Sequence, residues 1–460
     1  MIVKLPSELI HHILADLADD AAALRSSALT CKLLAIPSQM LLFRRVELHL
    51  HTSVVTMSAS GRKTAPNNDL TKEAKLFYAL SANPYLATFV HDVTLYDLFG
   101  GQELIFMDPE LDGDVIQNLF GMSEEALLVL GLLTHAKRLT VCAHNARSWM
   151  HLHPKVEEAV RKAMASPHLT SIEVDAMAEF PIALFDSCST TLKHVSISTF
   201  PSLQLSFEPA AARVGENAPI FLESLFVSTS TSNLGQLVEW MEGSKLDISR
   251  LSRLVVRALG DEHKGVQALV SRLVAECSST LEELEFFAYL PCMFCDLSMC
   301  TYADRTVDGR TVTRDSDVLA VCDTINLGQL PSLTKVSIRY WLSDLSDSTH
   351  QLPLLARLLR SMDLSPRLTE LTLHFVIIHS RSPTDPCKGA MAWAVLDDVI
   401  EECRPQMLRS VVVQMESIPE GLHQATKVIL RNGLRKVVER FGKRMQIVLS
   451  SSPRFIPFFR

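Results

Sequence analysis

The chain has 460 residues, 47% of them hydrophobic, and 44 basic against 52 acidic side chains give a formal net charge of -8. Such a chain can bury a large core, in one elongated domain or in two to three compact ones. The mild acidity argues against a general nucleic-acid or anionic-membrane surface, and the longest apolar runs, such as Ala126 to Leu133, fall far short of the roughly 20 residues that span a bilayer. The ten cysteines are scattered without a repeated framework. Glu8 and Asp16 interrupt the first apolar stretch, unlike a signal peptide. Both features suit reduced thiols in the cytoplasm, the nucleus or both.

The first fifty residues read as a small helical bundle of about three short helices. Pro6 suits a helix start, because its φ is fixed and it has no N–H to satisfy. Glu8 lies near the positive helix end. Leu9, Ile10, Ile13, Leu14 and Leu17 follow at helical spacing. Asp19-Asp20 can cap a second helix, and Pro37 is expected to interrupt the apolar run after it. So small a bundle has little core and needs a partner or an attached domain.

These residues resemble an F-box. That family opens with Leu-Pro-x-Glu-[Leu/Ile], and the chain has Leu5-Pro6-Ser7-Glu8-Leu9. The family's Val-Cys-Lys-x-Trp-like segment is matched by Thr30-Cys31-Lys32-Leu33-Leu34, with Leu34 where Trp is common. The closing apolar stretch is Leu42-Phe43-Arg44-Arg45-Val46-Glu47-Leu48. The resemblance implies docking on a Skp-type adaptor through Leu5, Pro6, Leu9, Ile10, Ile13, Leu14, Leu17, Cys31 and Leu34. An ordinary amphipathic helical cap on the next domain is the alternative.

Residues 51–70 are polar and turn-prone, with Ser58, Ser60, Gly61, Pro66, Asn67 and Asn68 close together. Glu73 to Ala82 reads as a helix that Asn83-Pro84 ends. A motif then recurs, Leu-x-x-[Leu/Val/Ile]-x-[Val/Ile/Leu]. Its clear copies begin at Leu169, Leu192, Leu222, Leu251, Leu281, Leu333, Leu368 and Leu408, and weaker ones lie at Val90–Leu95 and Arg138–Val141. The final apolar positions alternate with polar ones, the period of a half-buried strand. Helical patterns lie between them at Glu124–Ala136, Val156–Ala165, Leu234–Met241, Val266–Cys277, Leu352–Met362 and Ala390–Cys403. Leu422–Phe441 reads as a last helix, Met445–Leu449 as a last strand, and Phe455, Phe458 and Phe459 as a cap. Strand, loop and helix in alternation give an α/β fold with parallel strands, and units that cannot bury their strands alone must stack.

This part resembles leucine-rich-repeat proteins of the ribonuclease-inhibitor-like kind. It departs from them in unit length, which varies from roughly twenty to fifty residues. It also lacks the Asn or Cys expected three residues past the last strand position, where Met177, Phe200, Ser230, Leu259, Tyr289 and Trp341 stand. An irregular solenoid without an Asn ladder is expected, and a compact α/β domain is the alternative. The expected domains are the F-box-like 1–50, a linker and connecting helix over 51–85, and the repeats over 86–460. The segments 202–219, 292–317 and 379–388 break the rhythm as insertions, which usually lie on the surface.

No catalytic or nucleotide-binding motif is present, so the chain is expected to be no enzyme and to need no cofactor. Cys292, Cys295, Cys300 and Cys322 could hold zinc, but no second close pair follows. Cys142, His144, His151 and His153 form a second loose group. No metal is expected at either.

The exposed strand positions place Phe226, Arg253, Arg257, Glu283, Glu285, Phe287, Lys335, Arg339 and His374 on one face with alternating bands of charge. Aromatic and Arg residues together suit a protein interface, so this face is the expected target site. A sheet face whose charges merely pair between strands is the alternative. Together the two resemblances imply the substrate-recognition subunit of an SCF-type cullin-RING ubiquitin ligase, bridging the Skp-type adaptor and a protein target. A repeat scaffold with no role in ubiquitination is the other reading.

Overall fold

The structure is a computed structural model. It describes residues 6–50, 70–97, 123–143, 149, 154–177, 179–199, 205–206, 218–259, 263–288, 326–342, 355–356, 359–361, 367–377, 386–402, 408–416, 418 and 423–450. Chain contacts divide the protein into two compact units, Met1–Ile220 and Phe221–Arg460. The fold is mixed α/β, built on parallel strands, and it closes no barrel.

The first unit opens with helices α1 (Ser7–Ala15), α2 (Ala21–Thr30) and α3 (Lys32–Leu42). Pro6 stands just before α1, and its carbonyl accepts from the N–H groups of Leu9 and Ile10. The Asp20 carboxylate caps α2 by accepting from Ala23 N at 2.9 Å. Contrary to expectation, Pro37 does not stop the third helix, which runs through it. Pro37 cannot donate to the carbonyl of Leu33, four residues before it, so the helix forgoes that one bond.

Strand β1 (Arg45–His49) follows directly, where the F-box resemblance placed a closing apolar stretch. Then come α4 (Lys72–Ala82), a 3₁₀ turn at Pro84–Phe89, β2 (Asp92–Asp97), α5 (Glu124–Leu132), β3 (Arg138–Ala143), α6 (Pro154–Met164), β4 (Ser171–Asp175) and β5 (His194–Ser198). The five strands pair in chain order, all parallel. Helix α3 packs on the Pro84–Phe89 turn, and α4, α5 and α6 pack in succession.

The second unit runs β6 (Ser224–Ser230), α7 (Thr231–Gly243), β7 (Arg253–Leu259), α8 (His263–Glu276), β8 (Glu283–Ala288), β9 (Lys335–Leu342), β10 (Glu370–Ile377), α9 (Pro386–Glu402), β11 (Ser410–Glu416), α10 (His423–Gly433), α11 (Arg435–Phe441) and β12 (Met445–Leu449). These strands also pair in chain order and in parallel. The single helix expected over 422–441 is two. The chain turns at Leu434, and the buried Asp397 of α9 restarts the helix by accepting from Lys436 N (2.9 Å) and Val437 N (2.8 Å).

Each clear motif copy becomes a strand starting two residues after its leucine, and all eight of those leucines are buried. Alternate strand residues, such as Leu225, Leu254, Leu284, Val336, Leu371 and Val411, form buried cross-strand rows. The ladder absent from the ends of the strands is replaced at their beginnings. The Lys137 carbonyl accepts from both Thr170 N (2.8 Å) and Ser171 N (3.0 Å), and the Thr334 carbonyl from Thr369 N (2.8 Å) and Glu370 N (3.0 Å). Ser or Thr next to the motif leucine adds a hydroxyl: Thr170, Ser252, Thr334 and Thr369 each donate to the preceding unit's carbonyl at 3.0–3.2 Å. These bonds fix the stacking register without an Asn.

The expected helix at 352–362 and the insertions lie largely outside the described residues. Residues 455–459, expected as a cap, lie wholly outside them.

Candidate functional site

Two surfaces draw notice, one in each unit. The first is on the helical bundle. Ile10, Leu14 and Leu24 form its buried core, with Leu17, Leu34, Leu41 and Leu42 packed against it. Of the residues expected to meet an adaptor, Ile10 and Leu14 are therefore interior, and Leu17 and Leu34 are partly so. Pro6, Leu9, Ile13 and Cys31 face solvent, and Leu5 lies outside the described residues. Leu9 is 48% and Ile13 55% exposed, on the flank of α1 next to the one that carries Ile10 and Leu14. The sequence reading missed Leu29, 89% exposed, and the stripe of Leu33, Ile36 and Met40 on α3. Their i, i+3, i+7 spacing was visible, but a helical stripe reads as core until the partner helices are placed. Large apolar side chains gathered on an exposed surface mark an interaction site.

The second surface is the strand face of the second unit. It brings together most of the residues expected there. Along the first row, Arg253, Glu283, Lys335 and Glu370 are aligned in register on β7 to β10. They pair in turn: Arg253 with Glu283 at 3.4 Å, Lys335 with Glu283 at 3.2 Å, and Lys335 with Glu370 at 3.8 Å. These groups are half-exposed, and such pairs contribute about 0–1 kcal/mol each.

Further along the strands the face is drier. Arg257 donates through Nε (3.2 Å) and Nη2 (2.7 Å) to Glu285 Oε1, and its guanidinium lies 5.0 Å from the Phe226 ring centre. Arg339 Nη2 donates to Glu416 Oε2 at 2.8 Å, and His374 Nε2 lies 3.0 Å from Glu416 Oε1. Glu416 is buried and was not foreseen; it lies just past the end of its repeat motif. Burial lowers the pKa of Arg339, and Glu416 opposes that shift. Phe287 is on β8, in register with Arg339; its side chain lies outside the described residues. The charge bands thus largely pair with one another.

The strand face of the first unit carries Glu47, Thr140, Glu173, Cys142 and Asp175. Thr140 Oγ1 donates to Glu173 at 3.4 Å, and Cys142 Sγ to Asp175 at 3.8 Å. Burial, then the charge of Asp175, pushes the Cys142 thiol up to about 12, which favours its protonated form. His49 stacks on Tyr96 and binds Glu73 at 3.0 Å.

Among the described residues, no group of three or more His, Cys, Asp or Glu could hold a metal. The cysteines at 292, 295, 300 and 322 and the histidines at 144, 151 and 153 lie outside them. No helix among the described residues is long and apolar enough to cross a membrane. No protein-family model and no curated protein matches the chain.

Proposed function

We propose that the chain is the substrate-recognition subunit of an SCF-type cullin-RING ubiquitin ligase. The N-terminal bundle is read as an F-box that docks on a Skp-type adaptor. The strands and helices are read as an irregular leucine-rich-repeat-like solenoid that holds a protein target. The chain performs no chemistry in this reading. It raises the effective concentration of a target lysine at the ubiquitin-carrying enzyme.

One observation carries the proposal. Leu9 and Ile13, in and just after the Leu-Pro-x-Glu-Leu opening, stand in solvent while their neighbours Ile10 and Leu14 complete the bundle core. A bundle serving only as a cap would bury that face. The second reading is a repeat scaffold with no ubiquitin role. The packing of α3 on the Pro84–Phe89 turn favours it, because that contact alone could cap the first strand.

Co-purification with the adaptor separates the two. Replacing both Pro6 and Leu9 by Ala should abolish co-purification while circular dichroism shows an unchanged α/β signal. Retention of the adaptor by the double variant overturns the proposal.

A further inference from the structure

Positive charge collects where the strands of the first unit begin. Two positions matter on each strand, its first residue and the one before it. Arg44 and Arg45 stand there on β1, His91 and Asp92 on β2, and Lys137 and Arg138 on β3. The backbone ladder sets them side by side. The Arg44 carbonyl accepts from His91 N (2.9 Å) and Asp92 N (3.0 Å), and the His91 carbonyl from Lys137 N (2.8 Å) and Arg138 N (2.9 Å). Lys193 and His194 continue the band at β5. Over the five strands these positions hold five Lys or Arg and one carboxylate. That carboxylate, Asp92, pairs with Arg45 at 3.6 Å. Arg44, Lys137 and Arg138 are exposed, and no ion pair joins them to another described residue.

The fold does not require these cations. The same two positions on β6 to β10 of the second unit hold two cations and four carboxylates. Helix ends do not account for the band either. A helix C-terminus favours cations nearby, yet α8 leads into β8, whose start is Glu282-Glu283. The cations also act on one another. Burial, then the charges of Lys137 and Arg44, lower the pKa of His91, and the charge of Asp92 opposes this without cancelling it. The band therefore carries unbalanced positive charge, in a chain whose formal net charge is -8.

We infer that this band binds an acidic segment of a protein, laid across the starts of β1 to β5. The rest of the strand face fixes where the segment lies. Two residues further along, Glu47 stands on β1 and Glu173 on β4. They repel an anion from the middle of the face and hold it at the edge. Adjacent strands are about 4.8 Å apart, so the four intervals span about 19 Å, roughly six residues of extended chain. A polypeptide fits better than a nucleic acid, because none of these positions holds a Phe, Tyr or Trp on which a base could stack. The inference deepens the proposed function, and rests on it only for calling the partner a target.

The test uses the full chain and three fluorescein-labelled probes, read by fluorescence anisotropy at low salt. One is a peptide with about six consecutive Glu, one the same peptide with Gln, and one an oligothymidylate of equal charge. The Glu peptide should bind at least about ten-fold tighter than the Gln peptide, the value of one bond to a charged group. High salt should shrink that difference by screening the charges. Lys137→Glu with Arg138→Glu should remove it. Arg409→Glu with Lys443→Glu changes the net charge equally at exposed sites of the second unit and should leave it nearly intact. Thermal melting checks that both variants are folded. Equal binding of the Glu and Gln peptides by the wild-type chain overturns the inference, whatever the variants do. Equal losses in the two double reversals overturn it too, because net charge alone is then at work. Tighter binding of the oligothymidylate than of the Glu peptide overturns it and assigns the band to nucleic acid. Adaptor co-purification, measured on the same samples, reports separately on the ubiquitin-ligase reading.

Discussion

Arg339 and Glu416 reach each other across an intervening strand. Arg339 stands on β9 and Glu416 at the end of β11, yet Nη2 and Oε2 are 2.8 Å apart, with β10 between them. His374 of β10 meets the same carboxylate from its other oxygen, at 3.0 Å. Glu416 is 1% exposed, so its removal leaves a guanidinium buried without its main counter-charge. Glu416→Ala should cost about 3–5 kcal/mol, read from urea unfolding. Replacing all three residues by Leu or Met should cost far less, because no charge is then stranded. A Glu416→Ala variant as stable as wild type would show that the cluster contributes nothing to the fold.

Asp397 offers a second, pH-dependent test. Its carboxylate caps α11 through two backbone N–H groups. Asp397→Ala should cost about 1–3 kcal/mol, since the Val437 N–H is left buried and unpaired while that of the exposed Lys436 turns to water. Burial raises the folded-state pKa of Asp397 above the ordinary Asp value, against the pull of the two N–H groups. The folded state therefore binds this proton at higher pH than the unfolded state does. The group's contribution to stability then falls as pH rises through the folded pKa and is constant above it. Asp397→Asn cannot titrate. The stability gap between wild type and Asn should widen as pH is lowered from neutral into the carboxylate range. A gap independent of pH contradicts the raised pKa.

The thiols give a third test. Burial holds both Cys142 and Cys277 up to about 12, and Asp175 adds to the effect at Cys142. The thiolate is the reactive form. Native protein treated with iodoacetamide near pH 8 should show alkylation at the exposed Cys31 and none at Cys142 or Cys277, by peptide mass spectrometry. In urea the three should label together. Native labelling of Cys142 at the rate of Cys31 refutes its burial.

The strands were the most legible part of the sequence. A motif leucine followed by alternating apolar residues has one good parallel-sheet solution, and every copy became a strand. Strand β1 was harder to see because Val46 and Leu48 read equally well as the end of a helical bundle. The stacking ladder was hidden for another reason. The expected signal was an Asn after the strand, whereas the chain uses Ser or Thr before it, and those residues are common enough to pass unnoticed. In the bundle, spacing found the apolar positions but could not divide them between core and surface. Ile10 and Leu9 are adjacent and chemically alike; only the placement of α2 and α3 sends one inward and leaves the other in water.

That division supplies the last prediction. Ile10 is 3% exposed and touches the Leu14 and Leu24 core, so Ile10→Ala opens a cavity and should cost about 2–5 kcal/mol. In so small a bundle this is enough to melt α1 to α3 locally, seen as rapid hydrogen exchange over residues 7–42 while the strands stay protected. Leu9 is half in solvent, and Leu9→Ala should change stability by no more than about 0.5 kcal/mol. If the bundle docks on an adaptor as proposed, both substitutions reduce co-purification, but for different reasons. Ile10→Ala loses the adaptor because the surface is no longer formed. Leu9→Ala keeps slow exchange in all three helices and loses the adaptor because a contact is gone, about 2 kcal/mol if the residue is a central anchor. Measuring exchange and co-purification on both variants separates folding from docking. A Leu9→Ala bundle with fast exchange would place Leu9 in the core and remove the observation on which the proposed function stands.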